Sequence, residues 1–182
     1  GYDYIGAPNI LQENALKADL GYQFSLPLWH LDFNAFGYRI ANYILGVTEP
    51  DFDAMTFGAN GVRVFQNVGN AHIYGADVTV SGELKSWLNL MGKIGYTRGF
   101  LASGDNLPLI PPVNGLLSLK AMHKGWQGML EAEFAAAQNA INSNFGDQKT
   151  PAFLVTNFRV LKTLPVHKTL LSFELGVDNI FD

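Results

Sequence analysis

The 182-residue sequence contains no cysteine. This absence excludes a disulfide-bonded scaffold, a zinc site with thiolate ligands and a cysteine nucleophile. Charged residues are scarce at 15%, while hydrophobic residues make up 48%. A disordered acidic or basic tail requires the opposite balance and is excluded. The net charge of −4 leaves no basic stripe to displace counterions, so we expect no nucleic-acid partner.

Long hydrophobic runs and catalytic motifs are also missing. No stretch approaches the roughly 18 apolar residues of a membrane helix, and Gly1-Tyr2-Asp3 does not begin a signal peptide. The sequence has no Gly-x-Ser-x-Gly elbow, phosphate loop or dinucleotide fingerprint, and its four histidines are scattered. Asp51-Phe52-Asp53 lacks the full spacing of a calcium loop. We therefore expect no enzyme activity, no metal site and no cofactor.

What the sequence does contain is alternation of apolar and polar residues with a period of two, which is typical of β-strands with unlike faces. Glycine, at 19 residues, and aromatic residues, at 13%, also favour strands over helices. Alternation predicts eight strands, beginning near Leu16, Trp29, Tyr74, Leu88, Val113, Trp126, Leu154 and Leu171. Between Phe36 and Ile44 the alternation predicts that the apolar face switches sides, and a β-bulge there would explain the switch.

The polar positions of these strands carry most of the charge. Their spacing predicts that one face of the sheet bears Lys17, Asp19, Asp32, Asp77, Lys93, Lys120, Glu131, Glu133, Arg159, Glu174 and Asp178. Such a face suits the water-filled lumen of a membrane barrel, and it also suits the solvated exterior of a soluble barrel.

The connections between the predicted strands alternate between short and long. The long ones are residues 47–69, 101–112 and 139–149, and the short ones contain few residues each. In an antiparallel up-and-down sheet, this places every tight turn at one end and every long loop at the other, as in transmembrane β-barrels. Trp29, Trp87 and Trp126 all follow short turns, where aromatic residues meet lipid headgroups. The prediction is therefore an all-β, antiparallel up-and-down transmembrane β-barrel segment.

Four motifs, in order along the chain, resemble those of the TonB-dependent outer-membrane receptors. They are Pro8-Asn9-Ile10-Leu11 with the segment Leu16 to Tyr22, Ile73 to Val78, Leu107 to Pro112, and Leu175 to Asp182 with its Asn-Ile-Phe-Asp ending. Two departures are Gln12-Glu13 in place of the usual Pro-Glu order and aspartate where the family commonly has glutamate, at Asp19 and Asp77.

The resemblance implies that residues 1–182 are the C-terminal portion of a receptor β-barrel of about 22 strands, contributing eight of them. It implies that the plug and the TonB box are absent from this chain, that the final strand is missing, and that the location is the bacterial outer membrane. The implied partners are outer-membrane lipid, the remaining barrel strands, the plug, and TonB through the missing N-terminal part. The implied function is import of a scarce nutrient, such as a metal chelate.

If the resemblance holds, ligand capture belongs to the long loops. Phe57, Arg63 and Phe65 are candidates to bind an anionic or aromatic chelate through charge and stacking. The alternative is that these three side chains pack the loop against itself.

Two other functions stay open on the sequence alone. The chain could be a complete eight-stranded outer-membrane protein with a structural or adhesive role, or a soluble lipocalin-like binding barrel. The membrane interpretations require Leu20, Val78, Leu130 and Phe173 to face lipid, whereas the soluble one places them in a dry interior.

Overall fold

A computed structural model describes residues 1–181 of the chain, and strands dominate it. The eleven strands are β1 (Asp3–Ile5), β2 (Asn14–Ser25), β3 (Trp29–Ala41), β4 (Ile44–Thr48), β5 (Val62–Asn67), β6 (Ala71–Lys85), β7 (Leu88–Leu101), β8 (Asn114–His123), β9 (Trp126–Ala135), β10 (Phe153–Val166) and β11 (Thr169–Val177). No helix in this described part is long and apolar enough to cross a membrane.

Eight strands form one antiparallel sheet in the order β11-β10-β9-β8-β7-β6-β3-β2. The eight predicted strands are confirmed, and so is the alternation of their connections. Short turns join β2 to β3, β6 to β7, β8 to β9 and β10 to β11, while residues 42–70, 102–113 and 136–152 form the long connections. We refer below to the short-turn end and the long-loop end of the sheet.

The longest connection contains a second, smaller sheet that periodicity did not predict. Strands β4 and β5 pair antiparallel within residues 42–70, and β1 adds to β5 in parallel, giving the order β1-β5-β4. Strand β1 has three residues and β4 has five, too few for an alternation pattern to stand out.

The bulge predicted between Phe36 and Ile44 is wrong. Strand β3 pairs without interruption with β2 and with β6, so Phe36 and Tyr38 share the polar face with Asp32. Phe36 covers Gly75, because a Cβ at that glycine would lie 2.6 Å from the Phe36 ring. An aromatic ring over a glycine fills the space without a change of face. The only register shift between β6 and β7 lies at Glu83/Lys85.

The apolar face of the large sheet does not enclose a core. Leu20, Leu130 and Phe173 are 63%, 43% and 57% exposed, and Val78 is half-buried. The buried apolar residues Val62, Ala71, Leu101 and Leu107 lie instead at the long-loop end. The dry interior required by a soluble lipocalin-like barrel is therefore contradicted, because these apolar residues are exposed and do not converge on a core.

The sheet is not closed. Within residues 1–181, β2 pairs only with β3 and β11 only with β10, and every residue of these two edge strands is exposed. A complete eight-stranded barrel would join these two strands, so that alternative is contradicted as well.

Candidate functional site

The strand register places the predicted polar residues on one face of the sheet. One row across five strands runs Asp32, Thr79, Lys93, Leu116 and Glu133. The other members of the predicted set lie at even spacing from this row on their strands, and Asp178 follows β11 directly. That this face lines a lumen stays a prediction.

Ion pairs and hydrogen bonds on this polar face are exposed. Lys17 Nζ lies 3.2 Å from Asp19 Oδ1, and Arg159 Nη2 lies 3.5 Å from Asp178 Oδ1. Asn34 donates a hydrogen bond to Asp77 over 3.0 Å. Exposed pairs of this kind contribute little stability, at most about 1 kcal/mol each.

At the short-turn end lies a hydrogen-bonded chain of side chains that the alternation pattern did not predict. Ser25 Oγ lies 2.6 Å from His30 Nδ1, and His30 Nε2 lies 3.1 Å from Asp32 Oδ2. Ser25 opposes His30 across the β2–β3 turn, and Asp32 is two residues further on the same face, so strand register would have revealed the chain. The Ser-His-Asp arrangement of hydrolases places serine on Nε2 and the carboxylate on Nδ1, whereas here the two nitrogens are exchanged. The three side chains link the end of β2 to the start of β3.

The long-loop end is where the connections fold over the polar face. Leu107 packs with Ala71 and Leu101 in a small buried cluster, which Tyr43 and Ile110 border. Hydrogen bonds link the second and third long connections. Asn106 Nδ2 donates to the carbonyl of Ile141 over 3.0 Å, and Asn142 Nδ2 donates to the carbonyl of Asn106 over 2.8 Å.

The three long loops that the sequence predicts for ligand capture meet around one cavity of about 290 Å³. The first contributes Val47 and Val68, the second Ser103 and Asp105, and the third Asn144 with neighbouring residues. Hydroxyl, carboxylate and amide groups thus line a space with apolar walls, the combination typical of small-molecule sites. We call it the loop cavity.

Arg63 does not project into solvent. It is 4% exposed, and its guanidinium lies between two rings, 3.8 Å from the Tyr2 centroid and 4.0 Å from the Phe145 centroid. It donates hydrogen bonds to the Tyr4 hydroxyl, over 3.1 Å, and to the carbonyl of Phe145. Through these contacts Arg63 ties the N-terminal segment and the third long connection to β5, rather than packing its own loop against itself. A ligand contact by Arg63 stays a prediction.

The other two candidates have different surroundings. Phe65 is 38% exposed and stacks on Tyr4 at 5.4 Å between ring centroids. Phe57 is fully exposed in the bend between β4 and β5. A ligand contact by either aromatic ring stays a prediction.

The sequence profile described as "TonB dependent receptor-like, beta-barrel" matches residues 1–180. The chain belongs to this TonB-dependent receptor family. A comparison with curated protein sequences finds no match.

Solved structures of receptors and transporters share the fold. The copper transporter OprC is 22% identical with a TM-score of 0.82, over 96% of this chain and 27% of its own. The FrpB iron transporter from Neisseria meningitidis is 13% identical with a TM-score of 0.71, over 98% of this chain and 28% of its own. A mutant of the ferric enterobactin receptor PfeA from Pseudomonas aeruginosa is 19% identical with a TM-score of 0.70, over 93% of this chain and 26% of its own. The chain therefore spans about a quarter of these proteins.

Membership of the TonB-dependent receptor family places the chain in the bacterial outer membrane, in a family of receptors and transporters rather than enzymes. Outer-membrane barrels have short periplasmic turns and longer extracellular loops. The long-loop end, with the loop cavity, is accordingly the extracellular end. Within residues 1–181, no three His, Asp or Glu side chains cluster in a way that could hold a metal ion.

One extracellular contact of this receptor domain depends on pH. Asp3 Oδ2 accepts hydrogen bonds from the backbone amides of Met55 and Thr56, at 2.7 and 2.9 Å. Hydrogen bonds from Thr56, through its side chain and then its backbone, lower the pKa of Asp3 below its ordinary value of 3.8. The lowered pKa means that these bonds stabilise the fold fully above pH 3.8 and are lost as pH falls through the lowered value.

We expect hydrogen-exchange protection of the Met55 and Thr56 amides to decrease in this acid range in the full-length protein. The β4–β5 amides act as an internal control and should keep their protection. Asp3→Asn should remove the pH dependence. Protection that follows the same acid profile in wild type and Asp3→Asn would contradict the assignment.

Proposed function

We propose that this chain is a late part of the barrel wall of an outer-membrane importer, which takes up a scarce nutrient such as a metal chelate with energy supplied through TonB. The observation that carries the proposal is the loop cavity, where three extracellular connections converge at the mouth of the polar face. The relatives of similar fold are named as transporters of copper and iron and as a receptor for ferric enterobactin, which supports a metal-containing cargo.

In this proposal the two faces of the sheet have different partners. The apolar face contacts membrane lipid, and the polar face lines the lumen and meets the plug. The edges of β2 and β11 pair with the remaining strands of the barrel, which satisfies their free backbone groups. TonB acts through a segment outside these 182 residues.

The Ser103 and Asp105 side chains are the polar groups of the second connection that line the loop cavity, and the Ser103 hydroxyl donates to Asp105 over 2.9 Å. A carboxylate there favours a cargo with exposed hydrogen-bond donors or positive charge, whereas Phe145, which also lines the cavity, offers an apolar surface. Recognition is thus expected to combine a few polar contacts with a hydrophobic wall.

The test uses the full-length receptor in a strain that depends on it for metal uptake, with ferric enterobactin, ferric citrate and copper ions as separate probes. Asp105→Ala combined with Asn144→Ala should weaken uptake of copper ions about tenfold or more, as expected for losing two polar contacts. The loss should be smaller for the two ferric chelates, because they are anionic and the Asp105 carboxylate repels them. Asp51→Ala, in the exposed tip between β4 and β5, is the matched control and should transport normally.

Unchanged uptake in the double variant, with the receptor present at normal levels in the outer membrane, would overturn the loop cavity as the capture site. Transport of none of the three probes by the wild-type receptor would overturn the metal-containing cargo.

A further inference from the structure

The apolar face of the large sheet carries a patch of positive charge near its extracellular end. The patch is confined to two neighbouring rows of residues. In its paired strands this face bears no aspartate or glutamate at any described position. Its cations at the short-turn end are Lys162 and, beside the bulge, Lys85. At the long-loop end they are Arg39 and Arg98, with His72 between them.

Strand register brings these cationic residues together. Arg39, His72 and Phe100 form one row across β3, β6 and β7, and the next row toward the membrane centre is Gly37, Tyr74 and Arg98. One strand lies between the two arginines, and they are offset by one row, which separates their Cα atoms by about 12 Å. Side chains as long as arginine can reach a common headgroup from such positions.

Aromatic rings hold the middle of this patch in place. The His72 ring stacks on Phe100 at 5.4 Å between centroids, and Tyr74 meets the edge of Phe100 at 6.2 Å. Arg39 is exposed and Arg98 is half-buried. Within residues 1–181 neither guanidinium forms an ion pair, so no carboxylate of the described chain neutralises them.

A groove for hydrocarbon adjoins the charges. A surface depression of about 320 Å³ is lined by the apolar-face residues Leu16, Ala18, Gly37, Tyr74 and Phe100, together with Arg39 and His72. A Cβ at Gly37 would meet nothing within 4 Å, so the glycine keeps this space open. An apolar groove next to cationic side chains matches an amphiphile with an anionic head.

We propose that this patch binds a phosphorylated lipid of the outer leaflet, with its phosphate on Arg39 and Arg98 and an acyl chain in the groove over Gly37. Guanidinium groups bind phosphate through paired, charge-assisted hydrogen bonds, and Tyr and His are amphipathic side chains suited to headgroup level. Charge complementarity selects the occupant, because the patch has cations and no acid. The proposal rests on the proposed function only in that the apolar face meets lipid.

The experiment uses the full-length receptor in nanodiscs that contain bis-phosphorylated lipid A, or the same glycolipid without its phosphates, as the probe. Native mass spectrometry measures how much probe stays bound. Wild type should retain the phosphorylated probe, and Arg39→Gln with Arg98→Gln should weaken retention about tenfold or more. Lys162→Gln, on the same face at the opposite end, is the matched control and should retain the probe normally.

Gly37→Leu tests the groove without changing charge, and it should also reduce retention. Equal retention by wild type and the arginine double variant, or equal retention of the phosphorylated and dephosphorylated probes, would overturn the proposal. Resistance of the barrel to unfolding in SDS checks folding, and if the double variant fails this check the two single arginine variants replace it. Metal uptake, measured in parallel, separates the two proposals, because lost uptake with normal lipid retention counts against the importer alone.

Discussion

Replacing Leu130 by arginine in the full-length receptor is expected to destabilise the folded barrel by about 2–4 kcal/mol, the cost of an arginine on the lipid face near the bilayer midplane. Leu130 lies at the middle of β9, in register with Leu119 on β8 and Phe158 on β10, all on the apolar face. The guanidinium would have to displace lipid hydrocarbon or draw water into it. Reversible urea unfolding in lipid vesicles measures the loss.

The adjacent residue provides the matched control. Glu131→Arg introduces the same side chain one position along β9, on the opposite face, next to Ser118 and Asn157. There the charge has access to water, so we expect a change below about 1 kcal/mol. Equal losses for the two variants would show that the faces are not lipid and lumen as proposed. A larger loss for Glu131→Arg would reverse the assignment.

Removing the Arg63 side chain is expected to loosen the extracellular end by about 2–4 kcal/mol of local stability, through lost cation–π contacts and lost charged hydrogen bonds. Its guanidinium connects rings of Tyr2 and Phe145, which are far apart in sequence. In Arg63→Ala we expect amide exchange in β1, β5 and residues 139–149 to accelerate while the β8–β9 ladder is unchanged. Hydrogen exchange followed by mass spectrometry measures this.

Two further variants make the Arg63 result specific. Arg63→Lys keeps the charge but loses the planar fork, so an intermediate loss of protection is expected. Lys149→Ala removes an exposed cation from the loop that contains Phe145, and it should leave amide exchange unaltered. Exchange in Arg63→Ala that matches wild type would mean that the loops are held by other contacts.

The sequence was sufficient to predict the large sheet because its two faces differ in polarity. The strict alternation from Leu16 to Phe24 predicts β2 and its register, since a slip of one residue would place Lys17 and Asp19 among the apolar side chains. Alternation failed at Phe36 and Tyr38. Phe36 can share the polar face because Gly75 beside it leaves room for the ring. Polarity alone does not distinguish that situation from a bulge.

The extracellular end could not be predicted in the same way, because its contacts join distant residues. Arg63 donates to the carbonyl of Phe145, 82 positions away, and β1 pairs with a strand about sixty positions later. Neither contact leaves a periodic signal in the sequence. The Ser25–His30–Asp32 chain is different, because a short turn and a two-residue step bring these side chains together and register alone would have found it.

The small sheet joins residues on both sides of β2 and β3, and this has a mechanical consequence. The segment before β2 pairs with β5 and is held further by Asn67, which exchanges hydrogen bonds with Leu11 at 2.7 and 2.9 Å, and by Glu13, which accepts from the Ile44 amide at 2.7 Å. The segment before β2 and the connection between β3 and β6 are thereby joined into one structural unit. We therefore expect a displacement of residues 44–67 to carry residues 1–13 with it, so that the two segments move as one unit.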